Sequence, residues 1–109
     1  MVEYNPALDS LFQSLADATR RDILRLLKLY EHMSISDIAI HYKMSFAGAA
    51  KHISVLESAR LVRKRKKGRM QIVSLSPTAF KEMDAYLEQY RDIWDSRFNK
   101  LDIILQEKR

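Results

Sequence analysis

Proline and glycine are scarce in this chain, with only two of each among 109 residues. Both amino acids disfavour helix interiors, because proline lacks a backbone donor and glycine loses much conformational freedom on folding. Their scarcity predicts a mostly helical chain with short turns. With so few of these residues, the sequence indicates neither a flexible linker nor a glycine-rich phosphate loop. At this length we expect residues 1–109 to form one domain.

Residues typical of helix N-termini predict where the first two helices begin. Asn5 precedes Pro6, a pair that suits an N-cap followed by the first helical position. Apolar residues then recur at helical spacing, which predicts a first helix over about residues 5–16. Asp17 is the next candidate N-cap, and a broad apolar face predicts a second helix that ends near Tyr30.

A helix-turn-helix is predicted over about residues 34–58. Ser34 and Asp37 have the spacing of a capping box, and the apolar residues after them predict a short third helix. Ser45 can cap a fourth helix after a break of about three residues, which is the spacing of a helix-turn-helix. The face of the fourth helix that we expect to be buried contains Ala49, Ile53 and Leu56.

Seven basic residues and no acidic residue lie between positions 60 and 69. The formal net charge of the chain is +5, so this segment holds the entire excess and the remainder is slightly acidic. Strand-forming runs on both sides, with Gly68 available for the turn, predict a β-hairpin over about residues 61–75. A concentrated cationic hairpin suits a polyphosphate such as nucleic acid, because neutralised phosphates release condensed counterions.

Ser76 and Pro77 predict the start of a last helix that extends over about residues 77–106. An apolar stripe runs along it, at Phe80, Met83, Leu87, Tyr90, Trp94, Phe98, Leu101 and Leu105. A stripe of this length exceeds what one small domain readily covers, so it predicts a homodimer. The alternative is that the stripe serves the core alone.

The composition excludes several classes of site. The chain contains no cysteine, which excludes disulfides, thiolate metal sites and cysteine nucleophiles. We find no carboxylate pair with a plausible pocket and no Ser/His/Asp constellation at recognisable spacing, so we expect neither an enzyme nor a cofactor. The amino terminus has no leader pattern, and no apolar run reaches about 18 residues. We therefore expect a cytoplasmic protein with no membrane partner.

Residues 15–24 (LADATRRDIL), 45–56 and 59–62, together with Gly68 and Arg69, form a distinctive combination. With these segments the chain resembles the ArsR-type winged-helix transcriptional repressors over nearly its whole length. Its last helix is similar to a branch of that family without metal-binding residues. The resemblance implies a mainly α fold with a small β-hairpin wing, namely a dimeric winged helix-turn-helix with a long C-terminal helix.

The resemblance also implies a homodimer that binds double-stranded DNA at a pseudo-palindromic operator and represses transcription, often of its own promoter. It places the DNA contacts at Ser45, Phe46, Ala47, Ala50, Lys51, His52, Ser54, Arg63, Arg65, Lys66, Lys67, Gly68 and Arg69. It places the dimer interface in the first and last helices, at Leu8, Leu11, Phe12, Leu87, Tyr90, Trp94, Phe98, Leu101 and Leu105.

The fourth helix carries Phe46 and Ala50 where this family commonly has Gln and Ser. Neither side chain can hydrogen-bond to a base edge, so contact with thymine methyl groups is their remaining direct readout. Sequence preference should then depend on Lys51, Ser54 and DNA shape. The alternative is an ordinary solvent-exposed face, which would leave Phe46 exposed without a role.

The chain departs from the metal-sensing members of that family in two places. Residues 34–38 stand where those members carry a cysteine-rich box, and the last helix has acidic residues but no histidine. We therefore predict no metal site, with a cluster of His32, His41 and His52 as the alternative. The inducing signal would then be an unidentified small molecule, a partner protein or the expression level alone.

Four further interpretations stay open, three of residues and one of function. Arg20 and Arg21 lie unfavourably for the dipole of the second helix, which indicates a phosphate contact or an ion pair with Asp17 or Glu57. His52 adjoins the buried face and suits packing or a phosphate contact better than sensing. The basic residues at 63–67 also match a nuclear-import pattern. An interaction module that binds RNA or a partner protein is the alternative function.

Overall fold

The computed structural model describes residues 2–93, 95 and 105. Within this part, the elements are α1 (Pro6–Ser14), α2 (Ala18–Tyr30), β1 (Met33–Ser34), α3 (Ile35–Tyr42), α4 (Phe46–Ser58), β2 (Val62–Lys67), β3 (Met70–Leu75) and α5 (Pro77–Glu88). Helices α3 and α4 form the helix-turn-helix, and strands β2 and β3 form the hairpin wing. The predicted fold class, mainly helical with a small hairpin wing, is confirmed.

Polar side chains cap the first four helices, as the sequence predicts. Oxygens of Asn5, Asp17, Ser34 and Ser45 each accept the backbone N–H three residues further on, at 3.1, 3.0, 3.0 and 3.0 Å. Each bond satisfies a donor that a helix start leaves free, which is worth about 1 kcal/mol. Ser76 occupies the same position before α5, but its side chain makes no cap hydrogen bond.

Strand β3 is the centre of a three-stranded antiparallel sheet with the order β1-β3-β2. Strands β2 and β3 pair from Val62 opposite Leu75 to Lys67 opposite Met70. Gly68 begins the two-residue turn between them with a φ of 62°, which glycine adopts without strain. Strand β1 has no counterpart in the sequence-based prediction, because two residues are too few to show a strand period.

One cluster of buried residues joins the five described helices to strands β2 and β3. It contains the predicted buried face of α4, since Ala49, Ile53 and Leu56 have no exposed surface. Leu11 of α1 is also fully buried in this cluster. This burial corrects its assignment to a dimer interface, because a side chain with no free surface in one copy has none to offer a second.

Helix α5 ends at Glu88, and residues 91–93, 95 and 105 are helical again within the segment that the sequence predicts as one helix to about residue 106. The Gln89 carboxamide donates to the Tyr86 carbonyl at 2.9 Å. In a continuing α-helix the Tyr90 N–H would donate to this same Tyr86 carbonyl. The Tyr90 N–H bonds to the Leu87 carbonyl instead, and the chain tightens into a turn before residues 91–93 are helical again. Three members of the predicted stripe, Trp94, Phe98 and Leu101, lie outside the described residues.

A backbone joint connects the end of α4 to the start of α5. At the end of α4, the N–H groups of Arg60 and Leu61 donate to the carbonyls of Glu57 and Leu56. Arg60 adopts the left-handed conformation that is common after a helix end, with a φ of 62°. The carbonyls of Arg60 and Leu61 then accept the N–H groups of Ala79 and Ser76, at 3.2 and 2.9 Å. A 2.6 Å salt bridge from the Arg60 guanidinium to Glu82 spans the same joint.

Lys43 holds the turn of the helix-turn-helix in the left-handed conformation, with φ of 53° and ψ of 44°. The N–H groups of Lys43 and Met44 bond back to carbonyls of α3, which ends the helix within one residue. A residue with a Cβ pays roughly 1 to 2 kcal/mol for this conformation. The turn between the two helices therefore stores backbone strain at one position.

We expect Lys43→Gly to raise the free energy of unfolding by roughly 0.5 to 1 kcal/mol, because glycine relieves more strain than it loses in chain entropy. The thermal midpoint should rise by a few degrees. Lys43→Val is the matched control and should lower the midpoint, because a β-branched residue tolerates this conformation poorly. Thermal denaturation followed by circular dichroism measures both, and a glycine variant no more stable than the wild type would contradict the strain.

Candidate nucleic-acid interface

Helix α4 has an exposed face opposite its buried one. The exposed residues at and after its N-terminus are Ser45, Phe46, Ala47, Lys51 and Ser54. Phe46 is 55% exposed, although a core would bury an aromatic side chain of this size. Ala50 and His52 are half-buried, and Ala50 packs against the core cluster. The predicted contact surface on α4 is thus free along its N-terminal half, except at these two half-buried positions.

A hydrogen-bonded group ties α3 to α2 behind this face. The Tyr42 hydroxyl donates to Asp22 Oδ2 at 2.6 Å, and the Arg25 guanidinium donates twice to Asp22 Oδ1, at 3.0 and 2.9 Å. The hydrogen bond from Tyr42, assisted by Arg25, lowers the pKa of the Asp22 carboxyl. Burial and the same hydrogen bond raise the pKa of Tyr42. Sequence reasoning missed this group, because only the Asp22–Arg25 spacing shows locally.

We expect the contribution of this group to stability to disappear in acid. Since the folded-state pKa of Asp22 lies below its ordinary value of 3.8, the stabilisation is complete above that value and is lost as the pH falls through the lowered pKa. Tyr42→Phe should therefore lower the thermal midpoint at neutral pH, and the difference from the wild type should shrink below about pH 4.

Tyr4→Phe is the control for that comparison, because Tyr4 is 81% exposed near the amino terminus. Thermal midpoints of the three proteins at a series of pH values make the comparison. A Tyr42→Phe deficit that stayed constant from pH 7 to about pH 3 would show that the carboxylate is not the partner that matters.

The wing carries its positive charge on one strand and the turn. The exposed residues of this group are Arg63, Arg65, Lys66, Lys67, Gly68 and Arg69. Lys64 is the exception, since its Nζ lies 3.4 Å from Glu57 Oε1 of α4. The β3 residues opposite positions 63–67 are Ser74, Val73, Ile72, Gln71 and Met70, none of which is charged. Strand β3 therefore supplies no acid to neutralise the wing.

Arg20 and Arg21 reach back to the carboxyl end of α1. The Arg20 Nε donates to the Ser14 carbonyl at 2.7 Å, and its Nη2 donates to the Gln13 carbonyl at 3.3 Å. The Arg21 Nη1 donates to the Leu15 carbonyl at 2.6 Å. Cations are favourable at a helix C-terminus. Arg20 and Arg21 are unfavourably placed at the N-terminus of α2, but their guanidinium groups lie at the C-terminus of α1, where the charge is favourable. This arrangement differs from the ion pairs considered at the sequence level.

Helices α1 and α5 share an aromatic surface. The rings of Phe12 and Tyr86 meet edge to face at 5.6 Å, and those of Tyr86 and Tyr90 do so at 5.7 Å. Phe12 and Tyr90 remain 40% and 39% exposed. Of the other residues expected at a dimer interface, Leu8 and Leu87 are half-buried and Leu105 is exposed. This α1–α5 face leaves apolar surface uncovered in one copy of the chain.

Two features are absent from the part of the chain that the structure describes. No three His, Asp or Glu side chains within residues 2–93, 95 and 105 are grouped so that they could hold a metal ion. Among the described helices, none combines the length and the apolar composition that a bilayer span requires.

Known proteins share the segment that contains the exposed face of α4. The family model described as bacterial regulatory protein, arsR family, matches residues 17–64, from the cap of α2 into β2. The chain is 32% identical over 75 residues to the transcriptional repressor SdpR of Bacillus subtilis, covering 69% of this chain and 82% of SdpR. It is 30% identical over 82 residues to the HTH-type transcriptional regulator Rv2034 of Mycobacterium tuberculosis, covering 75% and 76% of the two chains.

A solved structure extends the likeness beyond that segment. The ArsR-like transcriptional regulator from Rhodococcus sp. RHA1 superposes with a TM-score of 0.69 at 30% sequence identity. The match covers 90% of this chain and 92% of that one, so it includes the wing and helices on both sides of the helix-turn-helix.

Proposed function

This chain belongs to the ArsR family of DNA-binding transcriptional regulators, and from that premise we propose that it is a repressor that binds a pseudo-palindromic operator as a homodimer. One observation supports the proposal most strongly. The exposed face of α4 adjoins a hairpin whose exposed cations have no acidic partner on the opposite strand. The salt bridge between Lys64 and Glu57 connects the base of that hairpin to α4.

The two surfaces have different tasks in the proposed complex. The N-terminal half of α4 enters a major groove, where Phe46 and Ala47 meet thymine methyl groups and Lys51 and Ser54 hydrogen-bond to base edges. The wing cations neutralise phosphates next to that groove. In this proposal Arg69, which is exposed at the tip, enters a minor groove, whose width depends on the base sequence.

The α1–α5 face supports the dimer in this proposal. Half-exposed aromatic rings such as Phe12 and Tyr90 are the residue types enriched in subunit interfaces. A two-fold axis at this face gives each copy the same apolar partner, since the same patch serves both subunits. Two recognition helices would then meet a DNA site that shares the two-fold symmetry.

We expect Phe12→Arg to raise the dissociation constant of the dimer by roughly 100-fold or more, because an unpaired guanidinium in an apolar interface costs several kcal/mol. Leu29→Arg is the matched control, since Leu29 is a 66% exposed apolar residue on α2. It should leave the dimer intact. Analytical ultracentrifugation at micromolar concentration measures both variants, and a monomeric wild type would refute the dimer.

Footprinting of the purified protein on genomic DNA fragments tests the proposed function as a whole. We expect protection of paired half-sites whose centres lie about 10 base pairs, or a multiple of this, apart. Addition of the protein should lower transcription from the adjacent promoter. Equal affinity for every sequence would contradict the repressor, and an interaction module for RNA or a partner protein would then explain the scaffold better.

A further inference from the structure

A groove between α1 and α4 has the composition of an anion site. It has a volume of about 480 Å³ and is lined by Ser10, Gln13, Arg20, Lys51, Ser54 and Ser58, among others. Two of its lining residues are cationic and none is acidic. The serine hydroxyls and the glutamine carboxamide add neutral hydrogen-bond donors. The groove therefore offers positive charge and several donors in one concave surface.

The two cations of the groove have no acidic side chain in direct contact within the described part of the chain. Neither Arg20 nor Lys51 forms a salt bridge with a residue among 2–93, 95 and 105. Asp17 accepts the backbone N–H of Arg20 at 3.0 Å, but it does not line the groove. The backbone N–H and the charge of Arg20 lower the pKa of the Asp17 carboxyl, so Arg20 shares part of its charge, whereas Lys51 has no carboxylate in contact among the described residues and is free to meet an external anion.

The Arg20 side chain is held in place by two hydrogen bonds to the end of α1. Its Nε and Nη2 donate to the carbonyls of Ser14 and Gln13, which uses two of the five guanidinium N–H groups. The remaining N–H groups have no acceptor within the described residues. A guanidinium fixed on one side and free on the other loses little side-chain entropy when it binds a ligand.

We propose that this α1–α4 groove binds a phosphate group. A phosphate presents several acceptor oxygens, which match a guanidinium, an ammonium and hydroxyl donors. Two sources carry this chemistry, a backbone phosphate of bound DNA and a free phosphorylated compound. The DNA source rests on the proposed function, because Lys51 and Ser54 line the groove and also belong to the surface expected to face DNA. The Lys51 ammonium has three N–H donors, so it can serve a base edge and a phosphate together. The groove then adds a phosphate contact on a side of α4 different from the wing.

Gln13→Glu is the test variant, because it adds a carboxylate to the groove with almost no change in shape. Lys28→Gln is the matched control, since it changes the net charge equally at an exposed position of α2 outside the groove. Ser10→Asp adds the same charge one helical turn away on α1 and serves as a second variant if the first fails to fold. Thermal unfolding checks all three proteins first.

The first measurement is the affinity for duplex DNA across a salt series. We expect Gln13→Glu to bind about five- to tenfold more weakly at 0.15 M salt, with the slope of log K against log salt flatter by about 1 for each groove engaged. Lys28→Gln should stay within about twofold of the wild type. This result supports the proposal with DNA as the source of the phosphate.

The second measurement is a titration with inorganic phosphate, followed by the NMR signal of the Arg20 Nε–H. Saturable binding to the wild type that Gln13→Glu abolishes, with DNA affinity unchanged, supports the proposal with a free phosphorylated compound as the ligand. Unchanged DNA affinity together with no saturable phosphate binding overturns it. If the wild type itself failed to bind DNA, the proposed function would fail, while the phosphate titration would still decide the fate of the groove.

Discussion

Replacement of both Lys66 and Lys67 by alanine should weaken DNA binding by roughly 30-fold or more at 0.15 M salt. Each phosphate contact contributes a slope of about 0.9 to the dependence of log K on log salt, so two lost contacts remove about 1.8. Both side chains are exposed near the hairpin turn, where the facing strand offers no acid. The loss should be nearly the same for operator and random DNA, because phosphates carry no base sequence.

Replacement of Lys28 and Lys81 by alanine is the matched control, because both lysines are exposed on helices away from the wing. It removes the same charge and should change affinity by no more than a few-fold. Lys51→Ala should behave differently and shrink the ratio of operator to random binding, by roughly 1 to 3 kcal/mol if it contacts a guanine. Binding constants for both DNAs across a salt series separate these cases, and a wing variant with wild-type affinity would remove the wing from the interface.

Ile53→Ala should lower the free energy of unfolding by roughly 2 to 5 kcal/mol. Ile53 has no exposed surface and lies at the centre of the face by which α4 packs on the core, so its truncation leaves a cavity. The thermal midpoint should fall by roughly 10 °C or more for a domain of this size. DNA binding should weaken with it, because the exposed face of α4 depends on the packing behind it.

Two isoleucine variants calibrate that loss. Ile53→Val removes one methylene at the same site and should cost roughly 0.5 to 1.5 kcal/mol. Ile40→Ala makes the same truncation as Ile53→Ala at a side chain that is 75% exposed, and it should stay within about 0.5 kcal/mol of the wild type. Denaturant unfolding measures the series. Equal losses at positions 40 and 53 would contradict the burial of α4.

Local patterns predicted the helices and the wing well. The caps at Asn5 and Ser45 depend on a side chain and an N–H three residues away, so the sequence alone displays them. Helix α5 shows the limit of such patterns. The apolar spacing continues past Glu88, but the Tyr90 N–H bonds to the Leu87 carbonyl and tightens the chain into a turn, and periodicity contains no information on that local change of hydrogen-bond partner.

The candidate site depends on contacts that are distant in sequence, and these were harder to predict. The bond between Tyr42 and Asp22 joins residues 20 positions apart. From the sequence, Arg20 could be judged only against the dipole of its own helix, α2, where a cation near the N-terminus is unfavourable. In the structure its hydrogen-bond acceptors belong to α1. Lys64 was counted with the basic wing, yet Glu57 of α4 holds it. Charge counts therefore predicted the cationic hairpin, and three-dimensional packing decided which cations stay free.

The joint between α4 and α5 links the end of one helix to the start of the other by backbone hydrogen bonds. Arg60 and Leu61 close α4 with their N–H groups and hold the first turn of α5 with their carbonyls, so two consecutive residues serve the ends of both helices. A tilt of α5 relative to α4 must therefore bend or break these two hydrogen bonds and the salt bridge between Arg60 and Glu82. A subunit or ligand that shifts α5 therefore acts on the same two residues that close α4, at the opposite end of that helix from the face expected to meet DNA.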